Sequence, residues 1–272
     1  MERVKRLIQS AWEPITPRGV AAFARASTGR LWLVQLLAAA AVATVAVWLL
    51  MNGVFPTIRD AIRQLPDSGE ILNERLEWRG SSPVQLAEGD IVAFSVDLES
   101  TGGVRSPADF HIEFGRTRAS VHSLFGYLDF KYPAGWKTAF NRPELEPKWG
   151  AWEMPILGIV VVGTLVWLLA IWSILGFAYT LPLWLLAFFA NRDLRFGQAW
   201  RMAGAALMPG ALVMTLCLAL YGLRALDLVA LAVVGLGHLA VGWIYLALSV
   251  AFLPRIESAG TVRNPFRSRA GN

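Results

Sequence analysis

From Met154 to Asn191 the chain carries 38 consecutive residues without one charged side chain. A helix buried in a water-soluble protein keeps a polar stripe for solvent, and this run has none. A bilayer accepts it, because about 20 apolar residues cross the hydrocarbon core. Three further apolar stretches, 31–54, 201–222 and 228–253, accompany it. The pattern predicts an α-helical integral membrane protein built as a four-helix transmembrane bundle. Between the first two stretches the period changes from helical to alternating. Val92, Phe94, Val96 and Leu98 alternate with Ala93, Ser95 and Asp97, which predicts a strand within 90–99. A small β-rich extracytoplasmic domain over 55–153 is therefore expected between spans one and two.

The spans differ in character. Residues 31–54 exceed the h-region of a signal peptide, and 30 residues precede them, so an uncleaved anchor is expected. Trp32 and Trp48 stand near its ends, and Gln35 and Thr44 are its mid-membrane polar groups, suited to helix–helix contact. The 38 residues from 154 to 191 would make a helix of about 57 Å against a core of about 30 Å. Two spans there would place Arg192, Arg195, Arg201 and the four arginines after Pro254 outside. One span keeps all seven inside, as basic loops prefer. A single helix over 154–190, kinked at Pro182, is expected, with 181–190 left either inside the bilayer or at its interface. Span three, 201–222, holds Pro209-Gly210, a second candidate kink, and the small-xxx-small pair Ala206/Gly210. A short turn with Arg224 and Asp227 leads to span four, 228–253.

Within 55–153, Pro56 opens an amphipathic helix with Ile58, Ile62 and Leu65 on one face. Leu72, Leu76 and Trp78, at alternate positions around Glu74, read as one strand. Ser100–Gly103 read as a turn. Phe110, Ile112 and Phe114 then face Ala119 and Val121 in a hairpin that pairs 112 with 121, followed by a strand through Leu128, Phe130 and Tyr132. Residues 133–153, rich in proline and tryptophan, read as an irregular return to the membrane.

Charge adds topology to this picture. The chain is 55% hydrophobic and 17% charged, with a net charge of +5. Residues 55–153 hold 11 basic against 15 acidic side chains, whereas the lead-in 1–30, the loop 191–200 and the tail 254–272 are basic. That distribution explains the high pI without nucleic acid and places both termini in the cytoplasm. The basic lead-in reads as a lipid-facing amphipathic segment, with a regulatory target helix as the alternative, and the tail reads as disordered. Arg192, Arg195 and Arg201 are candidate headgroup contacts. The single cysteine, Cys217, allows no intrachain disulfide.

Candidate chemistry is sparse. His238 lies in span four and is either a hydrogen-bonded packing group or a proton relay, although no intramembrane carboxylate accompanies it. His111 and His122, opposite each other near Glu113, are read as a solvated face, with zinc binding as the alternative. The acidic set from Glu70 to Glu99 is read the same way, and the domain's aromatics as core. The chain lacks G-x-S-x-G, P-loop, dinucleotide and H-E-x-x-H motifs, so no enzyme activity, metal or cofactor is expected.

The lead-in Ser10–Pro14 (Ser-Ala-Trp-x-Pro), the inserted β-rich domain and Phe196-Gly-Gln-Ala-Trp-Arg201 together resemble a family of bacterial membrane proteins labelled as associated with maltodextrin utilisation. Those in turn resemble Yip1-type membrane bundles. The resemblance implies a helical bundle in the bacterial cytoplasmic (inner) membrane and supplies no catalytic residues. Three functions follow as expectations. The first is an accessory or sensor subunit, linked to carbohydrate uptake, whose outer domain binds a ligand or partner. The second is a Yip1-like scaffold recruiting partners or lipids, and the third a small oligomeric transporter. The expected partners are the lipid bilayer and a membrane protein or a second copy of the chain.

Overall fold

The computed structural model describes residues 13–256. The expected surface helix around Leu7–Trp12 and the tail beyond Ile256 lie outside them. Among the described residues four helices are long and apolar enough to cross a membrane, and a β-rich region is inserted between the first two. The chain separates into two compact units. The first comprises the described parts of 1–40, 165–216 and 232–272, and the second comprises 41–164 and 217–231.

The first unit is helical. A short helix α1 (Pro17–Ala22) is capped by Thr16, whose hydroxyl accepts from the Gly19 N–H at 3.0 Å. Then come α2 (Thr28–Leu49), the last turns of α4 (Arg142–Phe189), α5 (Phe196–Gly222) and α6 (Leu228–Val250). The most buried of them is α5, with Met202, Ala203, Ala205 and Ala206 closed off from solvent. Its small residues explain why. A side chain at Gly210 would put its Cβ 2.7 Å from the His238 carbonyl oxygen, and one at Gly242 would lie 3.5 Å from the Ala206 carbonyl. The Ala206/Gly210 pair thus sets the crossing with α6. A Cβ at Gly204 would meet Gln35 Nε2 at 3.2 Å, so Gln35 is buried against α5. The helix α4 continues unbroken through Pro182. Beside that proline, Thr180 donates its hydroxyl to the Gly176 carbonyl at 2.7 Å. Tyr179, Leu183 and Ala187 form its buried face, in one cluster with Val20 and Phe23 of the lead-in, while Phe189 is 81% exposed.

Three expected boundaries move. The amphipathic helix after Pro56 is not separate: α2 runs through a π-helical turn (Leu50–Val54) into α3 (Phe55–Arg63), 36 helical residues from Thr28 to Arg63. Proline at the start of α3 sits where its missing donor is tolerated. The stretch 133–153 is not irregular throughout. From Arg142 it is helix, started by the Asn141 side chain, which accepts from the Glu144 N–H at 3.1 Å, and supported by the pairs Arg142–Glu146 and Lys148–Glu144. The basic loop 191–200 shortens because α5 begins at Phe196, where the Gln198 side chain accepts from the Arg195 N–H.

The second unit holds two sheets. Strands β1 (Gly69–Leu72), β2 (Arg75–Trp78) and β8 (Lys137–Ala139) form one, in the order β2-β1-β8. What alternation suggested as one strand through Leu72–Trp78 is a hairpin. Asn73 and Glu74 both take positive φ, 49° and 66°, and make the two-residue turn. The second sheet has the order β3-β4-β5-β6-β7, from β3 (Val84–Glu88), β4 (Val92–Val96), β5 (Phe110–Phe114), β6 (Arg118–Ser123) and β7 (Gly126–Lys131). The β5–β6 hairpin pairs Ile112 with Val121, as its alternation requires. Phe114 and Ala119 of this hairpin pack with Ala61, Leu65, Leu76, Tyr132 and Phe140 into the unit's core. The edge strand β7 is exposed along its length, so Tyr127, Leu128 and Phe130 are outside the core, as is Trp136; only Tyr132 of this stretch is buried.

Candidate functional site

The five-stranded sheet contains one parallel pair, β4 with β5. A parallel pair cannot close through a tight turn, so the chain must cross over the sheet between them. Residues 97–109 make that crossing. The expected Ser100–Gly103 turn is its first part and not a hairpin connection. Asp97 organises it: one carboxylate oxygen accepts from the Thr101 hydroxyl at 2.8 Å and the Gly102 N–H at 3.0 Å, while Ser100 and Gly102 take positive φ. Further along, the Ser106 hydroxyl donates to Glu88 at 2.8 Å, which ties the segment to the end of β3.

Strand register puts two polar rows on the face beside this segment. Gln85, Ser95, Glu113, Ser120 and Asp129 are successive cross-strand neighbours, as are Glu88, Ala93, His111, His122 and Tyr127. This corrects the expected solvated face. His111 and Glu113 are each only 8% exposed, and Asp97 only 1%. Paired hydrogen bonds make the burial tolerable. Ser95 and His111 Nε2 lie 2.7 Å apart, and Ser120 donates to Asp129 at 2.7 Å. A cavity of about 440 Å³ opens among Arg105, Asp109, His111, Glu113, His122 and Leu124. That is the size of a small-ligand pocket.

Its electrostatics follow from burial. Desolvation raises the pKa of Glu113, and the nearby Asp97 charge raises it further, against weaker help from His122. Desolvation lowers that of His111, and His122 adds to the effect. The cavity is therefore lined by a neutral imidazole and by a carboxylate that gains from a proton or a donor. Desolvation also acts on Asp97, but the Thr101 and Gly102 hydrogen bonds outweigh it and leave its pKa lowered. Among the described residues no three His, Cys, Asp or Glu side chains are grouped to hold a metal ion.

Asp109 closes one end of the crossing and also belongs to a second set of contacts. It accepts the Tyr221 hydroxyl at 2.6 Å and Arg224 Nη1 at 3.4 Å, and Arg224 Nε donates to Asp90 at 3.1 Å. The start of β5 is thereby clamped to the turn between α5 and α6. Neither Asp109 nor Tyr221 stood out in the sequence, because a lone aspartate in a loop and a tyrosine at a helix end carry no motif.

Of the residues singled out by the sequence, His111, Glu113 and His122 line this cavity, and the candidates in and beside the spans belong to the helical unit. His238 Nδ1 is 2.6 Å from the Gly235 carbonyl, which can only accept, so the proton is on Nδ1 and is used within its own helix. Arg192 donates to the Leu253 carbonyl at 2.6 Å and Arg201 to the Ala24 carbonyl at 2.9 Å, while Arg195 is exposed. Pro209 lies inside α5, next to the Gly210 crossing. Compared with models of known families, with curated proteins and with solved structures, the chain matches none.

Proposed function

We propose that this chain is a non-enzymatic, multi-pass protein of the bacterial cytoplasmic membrane. Its β-rich unit acts as a sensor that binds a small polar solute in the cavity beside residues 97–109. The membrane reading is supported by large apolar side chains that stay exposed on the long helices, such as Trp167, Phe177 and Leu236, where water would penalise them. The observation that carries the sensor reading is the burial of a polar sheet face around a cavity. Folded proteins do not enclose histidine and glutamate without compensation, and a bound solute with donor and acceptor groups is one source of it. Catalysis by the Ser95–His111 pair is disfavoured, because Ser95 is 0% exposed and its hydroxyl is occupied by the imidazole. Asp109 offers the route onward, since it lines the cavity and holds Tyr221 and Arg224 at the end of α5.

The test is thermal unfolding of the full chain in lipid nanodiscs against a panel of sugars, polyols, amino acids and divalent cations. At least one class should raise the midpoint, and Glu113→Gln and His111→Asn should each weaken that response by about tenfold in apparent affinity, about 1.4 kcal/mol. A panel without effect, or one whose effect survives both substitutions, removes the reading.

A further inference from the structure

A further cavity belongs to the helical unit. It has a volume of about 600 Å³ and is lined by Arg18, Arg25, Asp193, Gln198, Phe252 and Pro254, among others. Its walls are the lead-in, the segment joining α4 to α5, and the residues just after α6. Two arginines brace those walls from behind. Arg201 bonds the Ala24 carbonyl and Arg192 the Leu253 carbonyl, and in each case the buried Nε has no partner among the described residues. Asp193 spends its backbone N–H on the Pro254 carbonyl at 3.0 Å. Gln198 uses its carbonyl oxygen on Arg195, which leaves its amide donors for the cavity.

Arg18 and Arg25 are different. Both line the cavity, both are exposed, and neither has an ion-pair or hydrogen-bond partner among the described residues. Among the described residues, Asp193 is the only acidic one lining it. Two unpaired guanidinium groups, backed by two more that are already engaged, make an electropositive recess beside the apolar helix ends. Guanidinium recognises phosphate oxygens in a planar, two-pronged manner that a lysine cannot reproduce. We infer that this recess binds a phosphate group through Arg18 and Arg25. The group is carried either by an anionic phospholipid or by a soluble phosphate. Arg18 and Arg25 join Arg192 and Arg201 as candidate headgroup contacts, the latter two each spending one donor on a backbone carbonyl. The lipid source rests on the membrane reading above; the soluble source does not.

The experiment has two arms on the full chain. In the first, native mass spectrometry of detergent-released protein compares phosphatidylglycerol with phosphatidylcholine at equal supply. In the second, inorganic phosphate is titrated against thermal unfolding in nanodiscs of phosphatidylcholine alone. The wild type should retain phosphatidylglycerol at least tenfold over phosphatidylcholine if the source is lipid, or show a saturable rise in midpoint with phosphate if it is soluble. Arg18→Gln with Arg25→Gln should abolish whichever is seen, while Arg116→Gln, an exposed arginine of the β-rich unit, should leave it intact. No preference in either arm of the wild type overturns the proposal whatever the variants do. So does a preference that survives the double substitution. A protein that fails only the solute panel of the sensor test while passing here separates the two claims.

Discussion

Asp97 and Glu113 are both nearly closed to solvent and titrate in opposite directions: several hydrogen bonds outweigh desolvation at Asp97, whereas at Glu113 desolvation and the Asp97 charge outweigh the single Ser100 donor. Asp97 takes two hydrogen bonds from its own loop, so its charged form is favoured in the fold. Its contribution to stability is present above the ordinary value of 3.8 and is lost as pH falls through the lowered folded value. Asp97→Ala leaves the Gly102 N–H and Thr101 hydroxyl without that acceptor, and should cost about 2 kcal/mol at neutral pH. Glu113 has the reverse sign. The fold holds its proton more tightly than the unfolded chain, so stability falls as pH rises from 4.5 through the raised folded value. Glu113→Gln should flatten that decline. His111, with its pKa lowered from 6.5, adds a loss on the acid side, because the unfolded chain gains the proton first as pH drops. Hydrogen exchange of β4–β6 amides in the full chain, corrected for intrinsic rates, reads all three. Unchanged pH slopes in Glu113→Gln and His111→Asn would mean that this face is solvated after all.

At the level of elements, the α5–α6 crossing is the most sharply constrained contact in the helical unit. Gly210→Ala forces a Cβ against a backbone carbonyl that cannot rotate away, and should destabilise the bundle by about 1–3 kcal/mol. Gly237→Ala, with open space around it, should be neutral or slightly stabilising through helix propensity. Thermal unfolding of the reconstituted chain separates them; equal effects would deny the close approach. This crossing was legible in the sequence, since Ala206 and Gly210 are small residues one turn apart on an apolar helix. So was the β5–β6 register, because a slip of one residue would turn Ile112 and Val121 to the wrong face. The site was not legible for the opposite reason. Alternation correctly placed His111, Glu113 and His122 on one face but is silent on what covers that face. Only the parallel pairing of β4 with β5, a contact between segments separated by the whole 97–109 crossing, brings a loop over it. Length held the clue: a hairpin does not need so many residues, and a parallel crossover does. Likewise the helical start at Arg142 was hidden by Pro143 and Pro147, which read as breakers until the Asn141 cap is seen to place Pro143 in the first turn.

For the whole molecule, the proposed topology turns on the longest helix. At 48 residues, α4 is about 72 Å long, more than twice the hydrocarbon thickness, yet it is a single unbroken helix. Trp152 and Trp184 are exposed on it, and the 32 residue steps from one to the other cover about 48 Å. That is close to the ~40–45 Å of a bilayer with its headgroups, so on the proposed membrane reading the two indoles are expected at its two interfaces. On that reading the turns before Trp152, bearing Arg142–Glu146 and Lys148–Glu144, are expected in water, and Phe188 and Phe189 at the opposite boundary just ahead of Arg192. On the proposed membrane reading, a single crossing by α4 is expected to leave Gly197 on the cytoplasmic side and Ser100 outside. In a Cys217→Ser background, a cysteine at Ser100 should react with an impermeant thiol reagent from outside, and one at Gly197 only after the membrane is breached. Spin labels at Leu186 and Ala190 should both report interfacial depth, Ala190 nearer water. If they instead report the bilayer centre, the end of α4 is a further stretch of membrane-embedded chain. Gly197 would then label from outside, and the side assigned to every segment after Phe189 would be reversed.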